Sequence, residues 1–214
     1  MITWIVGWPH NGSTLLRQIL KDCFDIPTVS MYDEPDLEYL FGKESLEFSR
    51  KLAENPIIRF EYHRSLPETK FIKIHELPFD DSPALYVIRD GRDCITAAGH
   101  FWNTPIRFIT AGCGNRFGAW SEHYYAWNPE KRPNTKIIRF EDMVLKPDDV
   151  AKDVGEFVGK APLRPYVDDF EENKKKWPQL FHDRIGCWEK RMSKKDLAYF
   201  WKCHGSLMKE LGYE

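Results

Sequence analysis

Ile2-Thr3-Trp4-Ile5-Val6-Gly7-Trp8-Pro9-His10-Asn11-Gly12-Ser13-Thr14 stands at the head of the chain, and its reading decides the fold. Trp4–Val6 is a short apolar run of the kind that forms a buried strand. A glycine-bounded turn follows, and then a helix is predicted over about Ser13–Cys23. Leu15, Leu16, Ile19 and Leu20 form its apolar face. Between strand and helix, Gly7 and Gly12 have the G-x-x-x-x-G spacing of a phosphate loop. Backbone N–H groups turned inward, joined by the unpaired donors and positive dipole end of the following helix, can hold an anion without a metal. The plainer alternative is a Gly-Pro turn capped by Ser13. A nucleotide kinase carries lysine directly after the second glycine, where it reaches the β/γ-phosphates. Ser13 occupies that position here, which argues against γ-phosphate transfer.

Working outward, Phe71–Ile74, Ala84–Ile88 and Lys136–Phe140 are further strand candidates. Ala84–Ile88 is the continuous apolar run that parallel sheets bury on both faces. Helices are predicted over Lys43–Glu54, about Asp93–Phe101, Trp120–Trp127 (stopped by Pro129), Val150–Val158 and Ser193–Leu211. Ser193 and Asp196 form a capping pair at the start of the last. This alternation predicts an α/β fold, a single domain over residues 1–214 with a mostly parallel sheet flanked by helices. Such sheets bind ligands in the crevice at the carboxyl ends of their strands, so the chemistry belongs just after Val6, Ile74, Ile88 and Phe140. Phe101–Gly118, with its glycines and Pro105, is a candidate lid.

Composition narrows the classes. The 214 residues are 42 % hydrophobic and 30 % charged, an ordinary globular mixture that excludes disordered and fibrous chains. Thirty-one basic against 33 acidic residues give a net charge of −2, which lowers the rank of a general nucleic-acid binder. Cys23, Cys94, Cys113, Cys187 and Cys203 are scattered, with no C-x-x-C pair. Neither a disulfide framework nor a metal site is expected, and the pattern fits a reducing compartment. No stretch reaches the roughly 20 apolar residues of a membrane span. The first residues lack the basic n-region of a signal peptide, so a cytoplasmic protein is expected. Aromatics reach 14 %, which fits an aromatic core and an aromatic-lined pocket equally well.

A phosphate loop written P-x-x-G-[ST]-T without the kinase lysine resembles that of the sulfotransferases, which use 3′-phosphoadenylyl sulfate (PAPS) as donor. Three more segments match in the family's order. Lys73-Ile74-His75-Glu76-Leu77-Pro78 is similar to its K-x-H-x-L-P segment, which carries the catalytic lysine and histidine. Tyr86-Val87-Ile88-Arg89-Asp90-Gly91-Arg92-Asp93 resembles the segment that binds the donor's 3′-phosphate. Ile138-Arg139-Phe140-Glu141-Asp142-Met143 resembles its R-[YF]-E-D-[LM] segment. Arg184-Ile185-Gly186-Cys187-Trp188 is similar to the end of its last cofactor loop. The resemblance spans about residues 3 to 190. It implies a small cytosolic, bacterial-type sulfotransferase with a P-loop-like architecture, PAPS as donor and no required metal. The implied donor-binding residues are His10, Asn11, Gly12, Ser13, Thr14, Arg89, Thr96, Phe140 and Arg184. Four departures stand out. His10 replaces the usual Lys or Arg, and Ala97 replaces the serine eight positions after the arginine, with Thr96 beside it. His182-Asp183 replaces a basic-glycine pair, so that Arg184 must substitute. Leu15 stands where many members place Trp.

Sulfuryl transfer needs an aligned acceptor hydroxyl, a base for its proton and fixed donors for the charge that develops on the leaving phosphate. A histidine's ordinary pKa near 6.5 suits it as that base, and His75 is the candidate. Lys73, two residues earlier on a strand, shares its face and can meet the sulfuryl or bridging oxygen. Glu34, in the acidic run Asp33-Glu34-Pro35-Asp36, is the rival base. Arg89 either grips the 3′-phosphate or pairs with Asp90 or Asp93, and Phe140 is either near the adenine or in the core. Glu141 and Asp142 are expected to be structural, and Trp188 to pack under the cofactor loop. The acceptor is expected to be a small alcohol or phenol. Two readings remain open beside this one: a phosphate-loop kinase of a small metabolite, and a decayed nucleotide-binding member of the family.

Overall fold

The structure is a computed structural model. It describes residues 1–214 apart from 33, 35–37, 55–59, 62–63, 66, 177 and 179–183. Asp33, Pro35 and Asp36 of the acidic run and the His182-Asp183 pair lie outside the described residues.

Five strands form one parallel sheet: β1 (Ile2–Val6), β2 (Thr28–Ser30), β3 (Lys70–Ile74), β4 (Ala84–Ile88) and β5 (Thr135–Arg139). Their order is β2-β3-β1-β4-β5. The α/β expectation holds, and four strands fall where the apolar runs place them. β2 has only three residues, too few for any periodicity to show. Phe140 does not end the last strand. It is the first residue of a short helix, Phe140–Leu145.

The sheet is covered on both faces, so β1 and β4 are buried at every residue. The pleat sorts their side chains. Trp4, Val6, Tyr86 and Ile88 join one core with Trp120, Phe200 and Leu207. Ile5, Leu85 and Val87 join the other with Leu16, Ile19 and Leu20 of the helix Ser13–Phe24. The C-terminal helix, Lys194–Glu210, starts at Ser193, whose hydroxyl accepts the Asp196 N–H at 3.2 Å as its sequence predicts. Among the described residues, no helix is long and apolar enough to cross a membrane.

Register places the site. Val6 pairs with Ile74 on one side and with Tyr86 on the other. The connections of β1 and β4 depart to opposite sides, so the crevice opens between their carboxyl ends. The loop from Gly7 to Gly12 fills that end. Gly12 begins the helix at φ +98, and a Cβ there would come within 2.3 Å of the Phe140 ring. Asn11 is 1 % exposed and pins the loop down. Its Nδ2 donates to the Val87 carbonyl of β4 at 3.0 Å, and its Oδ1 accepts the Ser13 N–H at 3.1 Å. Asn11→Ala strands both buried partners, a loss of about 2–4 kcal/mol at the usual cost of an unsatisfied buried group. Chemical denaturation measures it, and a change below about 0.5 kcal/mol would show that the loop is held by something else.

Candidate active site

A cavity of about 560 Å³ opens at the carboxyl ends of the strands, within the ordinary size of a small-molecule site. Its floor is the loop and first helical turn (His10, Gly12, Ser13, Thr14). Lys73 and His75 come from the end of β3, Arg89 from the end of β4, and Phe140 from the helix after β5.

The His75 ring is fixed at one nitrogen. Nδ1 lies 2.7 Å from the Gly7 carbonyl. A carbonyl only accepts, so Nδ1 carries the hydrogen, and in the neutral ring Nε2 keeps a lone pair. Nε2 has no hydrogen-bond partner among the described residues. The β1–β3 register creates this contact, because Gly7 and His75 each follow the paired residues Val6 and Ile74. Tyr32 stacks on the imidazole, at 5.3 Å between centroids and 14° between planes, and Phe117 meets it edge-on at 5.7 Å. The backbone is held as firmly. The His75 N–H donates to the Tyr32 hydroxyl at 2.6 Å, and that hydroxyl donates to Glu76. Buried His123 donates from Nε2 to the His75 carbonyl at 3.0 Å and accepts from the Tyr86 hydroxyl at 2.9 Å. Burial, with the Lys73 charge next in effect, holds His75 well below its ordinary pKa. It is a neutral imidazole at neutral pH.

Lys73 and Glu34 form an ion pair, and the other oxygen of Glu34 takes the Arg17 guanidinium at 2.9 Å. Burial alone would raise the Glu34 pKa, but the two cations outweigh it and hold the carboxyl at about 2. A carboxylate of that strength is a poor proton acceptor near neutral pH, which weighs against the rival base.

Arg89 lies over the Phe140 ring at 4.3 Å. Its two Nη groups donate to the carbonyls of His10 (3.0 Å) and Arg184 (2.7 Å), joining the first loop to the last. Asp93, the nearer of the two carboxylates proposed as its partner, lies 3.7 Å away. The other, Asp90, instead pairs with Arg92 at 2.7 Å. Asp93 is committed to the last loop, accepting the N–H groups of Gly186 at 2.8 Å and Trp188 at 3.0 Å. Trp188 lies under the Arg92 guanidinium at 4.2 Å. Glu141 is structural, accepting the Asp90 N–H at 2.9 Å and the Tyr213 hydroxyl at 3.0 Å.

The structure brings His10, Gly12, Ser13, Thr14, Lys73, His75, Arg89, Phe140 and Arg184 to one cavity. Two expected residues do not line it. The Asn11 side chain is spent on the loop itself. The Thr96 hydroxyl is buried without a partner among the described residues, and the Ala97 methyl lines the wall instead. His10, at φ 63, packs against Phe101 (5.1 Å) and Trp102 (5.5 Å). Arg184 lies on Phe170 at 4.0 Å and is held by both oxygens of Asp168, at 2.5 and 2.7 Å. Sequence reasoning missed Tyr32, Phe117, Asp168 and Phe170 in the lining, and Arg17 behind it. They belong to no motif, and only long-range packing brings them here. Phe101, Trp102, Arg116 and Phe117, from the segment read as a lid, form one wall.

The sulfotransferase-domain family profile matches residues 2–212. No curated protein sequence shows significant similarity to the chain. Among solved structures, a mouse sulfotransferase, SULT7A1, complexed with PAP superposes with a TM-score of 0.66 at 17 % identity, covering 98 % of this chain and 84 % of that one. Retinol dehydratase in complex with androsterone and inactive cofactor PAP gives 0.61 at 15 % identity, covering 100 % and 82 %. The same enzyme with retinol and PAP gives 0.61 at 12 % identity over the same shares. At these identities the superpositions speak for the fold, while the profile match spans nearly every residue. The chain belongs to the sulfotransferase family.

Proposed function

We propose that this chain transfers the sulfuryl group of PAPS to the hydroxyl of a small alcohol or phenol, with His75 as general base. The observation that carries the reading is the His75 Nδ1 contact to Gly7, 2.7 Å long, which in the neutral ring leaves Nε2 as the proton acceptor. Nε2 takes the acceptor's hydroxyl proton as its oxygen bonds to sulfur. The bond from sulfur to the bridging oxygen of the donor breaks, and the electron pair leaves with the phosphate as adenosine 3′,5′-bisphosphate (PAP). Lys73 and the loop N–H groups meet the charge that grows there.

The residues present fit the donor. The loop N–H groups open a helix, as phosphate binding requires. Arg89 is a buried cation whose Nη donors bond to carbonyl oxygens, whose carboxylate neighbour Asp93 lies 3.7 Å away and whose Nε is without a partner among the described residues. A phosphate at that place offers it an anion at hydrogen-bond distance, which Asp93 does not. PAP in the similar mouse sulfotransferase and retinol dehydratase structures supports the same donor here. The aromatic wall of Tyr32, Phe117 and Trp102 supports an acceptor with a hydrophobic body.

Three outcomes follow for the purified protein, PAPS and a panel of phenols and alcohols. His75→Ala lowers turnover about 10²–10⁴-fold, the usual worth of a positioned base, while calorimetry finds PAP affinity nearly intact. Undiminished turnover would remove His75 from the reaction. For the wild type, kcat/KM stays flat from pH 8 down to about 6.5 and falls only below that, because burial and Lys73 depress the imidazole pKa and only its neutral form accepts a proton. An acid limb centred at or above about 6.5 would contradict this assignment. Arg89→Ala weakens PAP more than adenosine 5′-phosphate, and equal losses would reject its contact with the 3′-phosphate.

A further inference from the structure

Glu34 and Lys73, in the cavity wall, form a charged cluster with Arg17 behind them. The side chains of Lys73 and Arg17 are 8 % and 2 % exposed, so both charges sit out of water. Arg17 is anchored independently of Glu34. Its Nε donates to the Thr28 hydroxyl of β2 at 3.0 Å, and its guanidinium lies on the Phe41 ring at 3.8 Å. Each Glu34 oxygen is committed to one cation, Oε1 to Lys73 and Oε2 to Arg17. Lysine has a flexible four-carbon stem and a single charged head, and it holds one direction only when something ties that head.

We infer that Glu34 is a positioning residue for sulfuryl transfer: its carboxylate ties the Lys73 ammonium to the fixed Arg17 guanidinium and so aims Lys73 at the reacting group, without itself taking a proton. The inference rests on the reading of the cavity as a PAPS site. The chain of support runs from β2 through Thr28, Arg17 and Glu34 to Lys73, two residues from His75 on β3. The ammonium is therefore set from β2 and the first helix, and the imidazole from β1. Cation and base are positioned by different elements before any substrate enters, which is what preorganisation of a transferring group demands. The cluster also sums to one net positive charge. Loss of the carboxylate charge raises that to two and strengthens the attraction for a polyanion, even as Lys73 loses its aim.

Opposed effects on binding and turnover follow, and no merely structural role produces them. Glu34→Gln is expected to bind PAP about tenfold more tightly by calorimetry, while kcat with the fastest acceptor of the panel falls about 10–100-fold. In a Lys73→Met background the same substitution is expected to change kcat less than about threefold, because Glu34 acts through Lys73. Weaker PAP binding by Glu34→Gln, or a full loss of kcat persisting without Lys73, would overturn the inference. If Glu34→Gln does not fold, Glu34→Asp keeps the charge but cannot span both cations. Its PAP affinity is expected within about twofold of wild type with kcat reduced, and unchanged kcat would equally overturn the inference. The wild-type arm separates the two levels. No PAP binding or no transfer from PAPS by the wild type sinks the donor reading itself, whereas normal wild-type behaviour with the wrong response at Glu34 sinks only this inference.

Discussion

One hydrogen bond, from His75 Nδ1 to the Gly7 carbonyl, ties the proposed base to the fold. Its use for proton transfer, as proposed, needs three things at once. The β1–β3 register must set Gly7 beside His75. The loop must leave β1 with its carbonyl turned toward β3. The imidazole must be buried deeply enough to stay neutral. Each is met by a separate part of the chain: strand pairing, the Asn11 pin to Val87, and the aromatic cover of Tyr32 and Phe117. A parallel sheet buried on both faces makes such a contact rigid, because a one-residue slip would exchange every side chain of a strand between two differently packed cores.

Charge is handled by the same logic. Arg17, Lys73 and Arg89 are all nearly buried, yet their partners differ in kind. Arg17 and Lys73 share one carboxylate, whereas Arg89 meets two backbone carbonyls, with Asp93 3.7 Å off and already holding the last loop. A buried cation that shares its carboxylate neighbour with two backbone N–H groups is only partly compensated, and an anionic ligand adds to its pairing. Arg184 differs again, since Asp168 engages its guanidinium at the cavity edge. Its charge is already answered.

Much of this is legible in the residues. Ala84–Ile88 and Trp4–Val6 are continuous apolar runs, and a strand buried on both faces cannot look otherwise. The loop glycines are legible because Gly12 must adopt positive φ against Phe140. Lys73 and His75 are legible as a pair because a strand has a period of two. The limits have physical causes. β2 is too short for any pattern. Arg17 sits mid-helix and reads as one more solvated charge, and nothing local shows that Thr28 and Glu34 close around it. Thr96 and Ala97 are neighbours whose order along the helix alone decides which faces the cavity, and a one-residue rotation separates expectation from structure. Asn11 sits within the loop motif yet turns inward, because the loop needs its own support before it can bind anything.

The central claim is the state of one imidazole, and nitrogen-15 magnetic resonance of the histidine side chains in the PAP complex reads it directly. At pH 7 the account predicts that His75 is neutral, with the hydrogen on Nδ1 and a bare Nε2. An imidazolium, or a hydrogen on Nε2 with Nδ1 bare, would contradict it.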